Sequence, residues 1–450
     1  MLRSFTRVCV RYAERYIPDP FLYAAILTFL SVAAAWAWTD SGFSEVLAAW
    51  YNGLWSLLAF SMQMALVLLT GVTLADSPPV KRLLARFAGM PKSQTSAATA
   101  VFLVAAAASW LNWGFGIVIG AIFAREIAKR LREVDFSFLV AAAYAGFMVW
   151  ASGLSSSIAL ASASPGNAMN LIEKSTGKVV GFDGTIFTWF NLAPVLLLVA
   201  IYPFVMKWMA PLPADMKRID PEVLMRQDAD GGEPETPRTF ATILERSPAV
   251  VGILAAMAAA AVLYKAATGA LTLDFNIIVF GMLMLGLLLH WRPIAYVRSF
   301  NRAAANVGPI VLQYPIYGGI MGIMTATGLA GLIAQKFVAF STPVTLPFWT
   351  FVASNVISLF VPSGGGHWAV QGPIMVPAAE ALHVDQGMVA MAVAMGEQTA
   401  NMIQPFWALP LLALARLGIR DIMGYCVVAL ILGLILFGGS LLFFAAHAQT

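Results

Sequence analysis

The chain has 450 residues, of which 60% are hydrophobic and only 11% charged, with a mean hydropathy of +0.79. A water-soluble domain does not carry that balance. Runs of about 20 apolar residues, each able to cross a hydrocarbon core of roughly 30 Å as a helix, recur along the sequence. The alternating ten-residue strands of a membrane β-barrel are absent. The expected fold is therefore an all-α polytopic membrane protein, and in such a protein the distribution of the +4 formal charge matters more than its sum.

The chain opens with Arg3, Arg7, Arg11 and Arg15, then Pro18, Asp19 and Pro20. The first apolar run ends in WAWTDSG without a small-residue cleavage site, so this start reads as a basic interfacial helix leading into a retained span. Uninterrupted spans are predicted near 21–38, 51–75, 136–160, 185–209, 248–268, 273–290, 305–330, 386–415 and 421–446, about nine in all. Two further apolar regions, 95–130 and 345–382, are broken by LNWGFG and VPSGGGHW. Each is either two spans or a re-entrant hairpin. The connector 211–247 is rich in charge, proline and glycine and reads as a cytoplasmic linker.

With the amino terminus placed inside, 23 of the 27 lysines and arginines fall in cytoplasmic segments. Only Lys174, Lys178, Lys265 and Lys336 lie outside, a strong positive-inside signal that puts the carboxyl terminus outside. Five spans separate the two broken regions, so they enter from opposite faces, as inverted-topology repeats require. The division is a first repeat over 1–210, with hairpin 95–130 and broken helix 136–165, the linker 211–247, and a second repeat over 248–450, with hairpin 345–382 and broken helix 386–415. The broken helices are interrupted at SGLSSS (152–157), with Asn167 beyond, and at GEQTANMIQP (396–405).

An unwound backbone inside lipid must be satisfied by protein or cavity water, so the four interruptions form the candidate site. Their helix ends offer amide groups to an anion and carbonyls to a cation. The glycines 364–366 allow close approach of a ligand that Ser363 and His367 can hydrogen-bond. His367 can bind a carboxylate or carry a proton, and the plainer alternative is a neutral histidine capping the second half-helix. Glu397 is expensive inside a membrane helix. Proton coupling, cation coordination and simple pairing with a nearby backbone break all remain open for it. Ser155, Ser156, Asn167, Gln398 and Asn401 line the same interruptions. Trp113 and Trp368 flank the two tips, as pocket wall or as packing. Cys9 and Cys426 have no disulfide or metal spacing. No nucleotide-binding loop, hydrolase motif or nucleic-acid motif is present, so neither an enzyme nor a cofactor is expected.

The segments WSLLAFSMQMALVLLTG (55–71), NWGFGIVIGAIFARE (112–126), SPGN (164–167), VPSGGGHWAVQGP (361–373), GEQTANMIQPFWALP (396–410) and GIRDIMGYC (418–426) closely resemble the short-chain fatty acid transporter family of bacteria. That resemblance implies uptake of short-chain fatty acids or keto acids, such as butyrate and acetoacetate, across the inner membrane. It also implies kinship with elevator-type carriers, which commonly assemble as homo-oligomers. Carried over to this chain, the substrate residues would be Asn112, Gly114 and Gly116 in the first tip and Ser363, Gly364, Gly365, Gly366 and His367 in the second. The paired serine-asparagine-threonine tips of dicarboxylate symporters are missing, so Na+ and H+ both stand as coupling ions. No arginine or lysine lies at any interruption, which favours a single small carboxylate over a dicarboxylate. The alternatives are a passive monocarboxylate facilitator and a sodium/proton exchanger of the same architecture.

Overall fold

A computed structural model describes residues 20–211, 216, 239–305, 307–359, 361, 363–404 and 407–448. The arginine-rich start, Cys9, most of the connector 211–247, Pro362 and Pro405 lie outside the described residues. All regular structure among the described residues is helical.

Helix α1 (Pro20–Trp38) leads into α2 (Phe43–Ser56) and α3 (Leu58–Ala75), which run on as one apolar stretch with Leu57 between them. After the short α4 (Pro78–Phe87) come α5 (Gln94–Leu111) and α6 (Trp113–Arg130), which meet at Asn112. Helix α7 (Phe136–Phe147), a 3-10 turn (Trp150–Ser152) and α8 (Ser157–Ala163) form one interrupted span, followed by α9 (Leu171–Thr176) and α10 (Trp189–Met209). Beyond the connector lie α11 (Phe240–Glu245), α12 (Pro248–Ala267), α13 (Phe275–His290), α14 (Pro293–Ala304), α15 (Gly308–Ala326) and α16 (Leu329–Phe340). The chain closes with α17 (Leu346–Ser358), α18 (Gly364–Ala381), α19 (Gln386–Ala400), α20 (Ala408–Ala415) and α21 (Ile419–His447).

Among the described residues six helices are long and apolar enough to cross a membrane, or seven if Ile310–Ala326 and Leu329–Phe340, bent by 74°, count as one span. This is fewer than the nine uninterrupted spans read from the sequence. Two of the nine make shorter helices, Ala24–Trp38 and Phe275–His290, and Leu346–Ser358, in the broken region 345–382, is short as well. The run 386–415 is divided between α19 and α20. The run 305–330 stops at Ala326, and the chain turns at Gly328, whose φ of 75° glycine adopts without strain, into α16, a helix not anticipated. Helices α4 and α14 are likewise new. Both are short and carry basic residues on one face, so they read as loops when only long apolar runs are sought.

The interrupted elements sit at the centre. Every residue of α7 and nearly every residue of α19 is buried, whereas α12 is buried over only 11% of its apolar window and forms the periphery. Four polar side chains start the central helices by accepting a backbone N–H of the first turn. Asn112 Oδ1 accepts from Phe115 at 2.9 Å, Asp135 Oδ1 from Phe138 at 2.7 Å, Ser363 Oγ from Gly366 at 3.2 Å and Asp385 Oδ1 from Met388 at 2.6 Å. The cap of α18 is therefore Ser363, not His367.

Around this centre, α2 and α15 approach backbone to backbone through Gly53, Gly318 and Gly322. A Cβ on Gly53 would stand 2.9 Å from the Gly322 Cα. In lipid, small residues of this kind let helices pack closely enough to gain dispersion energy. Gly53→Leu is expected to force the pair apart at a cost of about 1–3 kcal/mol, seen as a lower thermal unfolding midpoint in detergent. An unchanged midpoint would show that the contact is not tight.

Candidate functional site

Three of the four interruptions, the Asn112 tip, the 152–157 break and the break after α19, are joined by hydrogen bonds to one another. At the first tip, Trp113 N–H donates to Ser155 Oγ at 2.8 Å and Leu154 N–H donates to the Trp110 carbonyl at 2.7 Å, which fastens the Asn112 turn to the 152–157 break. Asn112 Nδ2 donates to the Val67 carbonyl on α3 at 3.2 Å. Gly114 and Gly116 sit where a side chain would strike Leu68 and Ser109, so both serve close packing of α6. Ser156 Oγ accepts from Ala159 N–H and starts α8.

The two helix breaks are joined by α19. The Gln398 side chain accepts from Ser152 N–H at 3.0 Å and donates to Ser152 Oγ at 2.9 Å. Asn191 Nδ2 takes the Ser152 carbonyl at 3.0 Å. Trp150 Nε1 donates to Asn401 Oδ1 at 2.9 Å, and the Tyr144 hydroxyl donates to the Asn401 carbonyl at 2.7 Å. Ser155, Gln398 and Asn401 thus spend their polar atoms on the protein itself. Asn167 lies apart from this centre. It donates to Gln63 on α3 at 3.1 Å, Gln63 donates to Asn276 on α13 at 3.4 Å, and Phe275 N–H donates to Ser164 Oγ at 3.2 Å. The loop after α8 is therefore tied to α3 and α13.

A cavity of about 20 Å³ opens beside the second tip, lined by Trp113, Phe147, Trp150, Trp407, Met64 and Ile310 with Ser157, Gln313, Tyr314, Ser363 and Gly364. That is room for about one water. The rings form two pairs: Trp113 meets Trp407 edge-on at 4.9 Å, and Phe147 stacks on Trp150 at 5.8 Å. Trp113 Nε1 is buried with no hydrogen-bond partner. Trp368, the other flanking tryptophan, is instead fixed by donating to the Met169 carbonyl at 2.9 Å. Gly365 and Gly366 press against Phe60 and Tyr317. Gly364 has Trp150, Ser157 Oγ and Glu397 Oε2 within 2.8 to 3.2 Å of where its Cβ would stand, so only glycine lets these three groups converge.

Behind Gly364 are the two ionisable groups. Glu397 and His367 are both fully buried, and Glu397 Oε2 lies 3.9 Å from His367 Nδ1. Among the described residues, neither oxygen of Glu397, nor His367 Nδ1, has a hydrogen-bond partner. The other ring nitrogen, Nε2, faces Gln371 Oε1 at 2.7 Å and Ser354 Oγ at 3.2 Å. The described residues hold no group of three or more His, Cys, Asp or Glu side chains that could bind a metal. Outside the membrane-spanning segments, Asp76 ties the end of α3 to α14 through Ser299 at 2.7 Å and Arg302. Partial burial favours its protonation, but Lys81, Ser299 and Arg302 outweigh that and hold its carboxyl below the ordinary value.

Sequence reasoning missed Ser354, Gln371, Gln313, Tyr314, Trp150 and Trp407. Gln313 and Gln371 were detectable as amides inside apolar runs, whereas the aromatic residues look like any others in a membrane helix.

Interrupted helices that converge on one small aromatic cavity, with buried ionisable groups at its edge, define a polytopic membrane protein of the transporter class. A family model described as "Short chain fatty acid transporter" matches residues 1–444, and the chain belongs to that family. It is 41% identical over 440 residues to a candidate short-chain fatty acid transporter of Escherichia coli (strain K12), covering 97% of this chain and 98% of that protein. It is 38% identical over 437 residues to one of Haemophilus influenzae, covering 96% and 97%. Among solved structures, the crystal structure of the Alcanivorax borkumensis YdaH transporter is similar in fold, with a TM-score of 0.61 at 15% identity over 96% of this chain and 99% of that one.

The Gln398–Ser152 joint makes a stability prediction. Gln398→Ala leaves Ser152 N–H with only its 3.2 Å bond to the Val149 carbonyl and takes the donor from Ser152 Oγ, at a cost of about 1 kcal/mol. The expected result is a lower unfolding midpoint in detergent, and a wild-type midpoint would mean that water replaces the amide.

Proposed function

We propose that this chain is a secondary active transporter that takes up short-chain monocarboxylates, butyrate and acetoacetate among them, across a bacterial inner membrane in symport with a proton or Na+. The observation that carries this reading is the fully buried Glu397 carboxyl, unpartnered and aimed at His367 beside an aromatic cavity. A carboxylate at membrane depth needs a compensating charge. A coupling cation is the natural one. Ser363, the first amides of α18 and Trp113 Nε1 offer donors to one substrate carboxylate, and the four rings offer a wall to a short acyl tail. No lysine or arginine lines the cavity, so a second carboxylate would go unmatched.

Two further features support inverted repeats moving as an elevator. The returning arms α6 and α18 begin 251 residues apart, at Trp113 and Gly364, each after a capping side chain. Helices α7 and α19 begin 250 residues apart, at Phe136 and Gln386, each after a capping aspartate. In this reading the two hairpins and two broken helices form the moving unit, while α2, α3, α13 and α15 form the scaffold within a homo-oligomer. The charge bias supports an amino terminus in the cytoplasm and a carboxyl terminus in the periplasm.

Proteoliposomes of the purified protein, given inward proton and sodium gradients together, are expected to accumulate labelled acetoacetate above the outside concentration. His367→Ala is expected to lower that uptake at least tenfold. Equilibration without accumulation would replace symport with a passive facilitator. Cation exchange indifferent to every carboxylate would replace it with a sodium/proton exchanger.

A further inference from the structure

The hydrogen bonds around His367 specify which cation fits between it and Glu397. Gln371 Nε2 donates to the Thr350 carbonyl at 3.0 Å, which turns the Gln371 oxygen toward the ring. Ser354 Oγ donates to the Val393 carbonyl at 2.6 Å, which turns its lone pairs toward the same ring nitrogen. Both neighbours of Nε2 are acceptors, so Nε2 carries the ring hydrogen. In the neutral ring Nδ1 is then a bare lone pair, and it is this atom that faces Glu397 Oε2 at 3.9 Å.

We propose that Glu397 and His367 Nδ1 together form the binding site of the coupling ion, and that the ion is a proton and not Na+. The assignment presupposes the transport reading above and adds the identity of its cation. A proton needs only one oxygen and one lone pair, which this pair supplies. It binds to Glu397 Oε2, turns the carboxylate into a carboxylic acid, and that acid donates to Nδ1 after a closure of about 1 Å to hydrogen-bond distance. A sodium ion would instead require several oxygen ligands and gains little from an imidazole nitrogen, because hard cations take carboxylate, carbonyl and water oxygens.

The elements packed against α19 bury no competing charge: Arg420, Asp421 and His447 of α21 sit at the two ends of that helix, none of them buried. Helices α17 and α8 carry no ionisable side chain. The other buried ionisable groups there are Tyr144 from α7, Tyr314 and Tyr317 from α15 and Cys426 from α21, all uncharged at neutral pH in their ordinary state. Glu380 of α18 lies exposed at the far end of that helix.

Coupling follows from distance. Glu397 Oε2 stands against Gly364 at the cavity wall, so an ionised Glu397 repels a substrate carboxylate brought to the same helix end. Two like charges a few ångströms apart repel strongly in a dry site, where little solvent screens them. Protonated Glu397 removes that repulsion. Proton binding therefore precedes substrate binding, one for one, and the proton leaves Glu397 after the substrate departs on the other side.

Two measurements on the full-length protein test this. In proteoliposomes, with passive entry of undissociated acid subtracted by protein-free liposomes, an inward pH gradient without sodium is expected to concentrate labelled acetoacetate at least tenfold. An inward sodium gradient at equal pH is expected to concentrate none. Accumulation driven by sodium alone overturns the proton assignment. Absence of any acetoacetate movement under either gradient, or in exchange, would instead remove the transport reading itself. Separately, infrared spectra of the detergent-purified protein are expected to contain a protonated-carboxyl band that is missing from Glu397→Gln and indifferent to added NaCl. Identical spectra for the two proteins, or a band that sodium removes, would refute the site whether or not the variant transports.

Discussion

Everything in the centre of this protein depends on one constraint: a backbone interrupted at membrane depth has no water to turn to. The interruptions at 112, at 152–157, at 361 and 363, and at 401–404 leave N–H and C=O groups that must find protein partners. Ser155, Gln398, Asn191 and Tyr144 supply them, and they do so across the chain, with Gln398 reaching Ser152 N–H and Tyr144 reaching the Asn401 carbonyl. The breaks cannot separate without exposing those groups. They are held as one unit, and the cavity lies where that unit meets α3 and α15.

The same constraint leaves Glu397 conspicuous. Nearly every polar side chain around it has a partner: Ser354 has Val393, Gln371 has Thr350, Trp368 has Met169, Gln398 has Ser152. A protein that satisfies its neighbours so fully and leaves two carboxyl oxygens and one imidazole nitrogen facing each other has set aside an acceptor cluster, not neglected one.

Much of this was legible in the sequence for a simple reason. Glycine-rich or charged stretches inside apolar runs stand out against a lipid background, so the tips, the helix breaks, His367 and Glu397 could be read directly. What could not be read was the use made of each polar residue. Ser155, Gln398 and Asn401 look like ligands in one dimension, and only the register of α19 against the 3-10 turn directs Ser155 and Gln398 to the backbone and Asn401 to the Trp150 indole. The facing of His367 and Glu397 depends on the register of α18 against α19, which no spacing within either helix encodes. The capping aspartates 135 and 385 escaped notice because a lone aspartate in the short connection before an apolar run looks like ordinary surface. Helix α16 escaped because its apolar run is too short to cross a bilayer and merges with the run before it.

The small size of the cavity has a consequence for selectivity. With space for about one water between the paired rings, the described conformation cannot hold even a four-carbon acid. Any organic anion that binds there does so by selecting a wider arrangement in which Trp113 and Trp407, or Phe147 and Trp150, have moved apart. Its apparent affinity is then the intrinsic affinity reduced by the fraction of molecules already open. Each added methylene gains about 0.8 kcal/mol from burial but demands a wider, rarer opening. The optimum chain length is where those two slopes cancel, so the upper limit on acyl length is written in the stiffness of the aromatic pairs, not in the resting volume of a pocket.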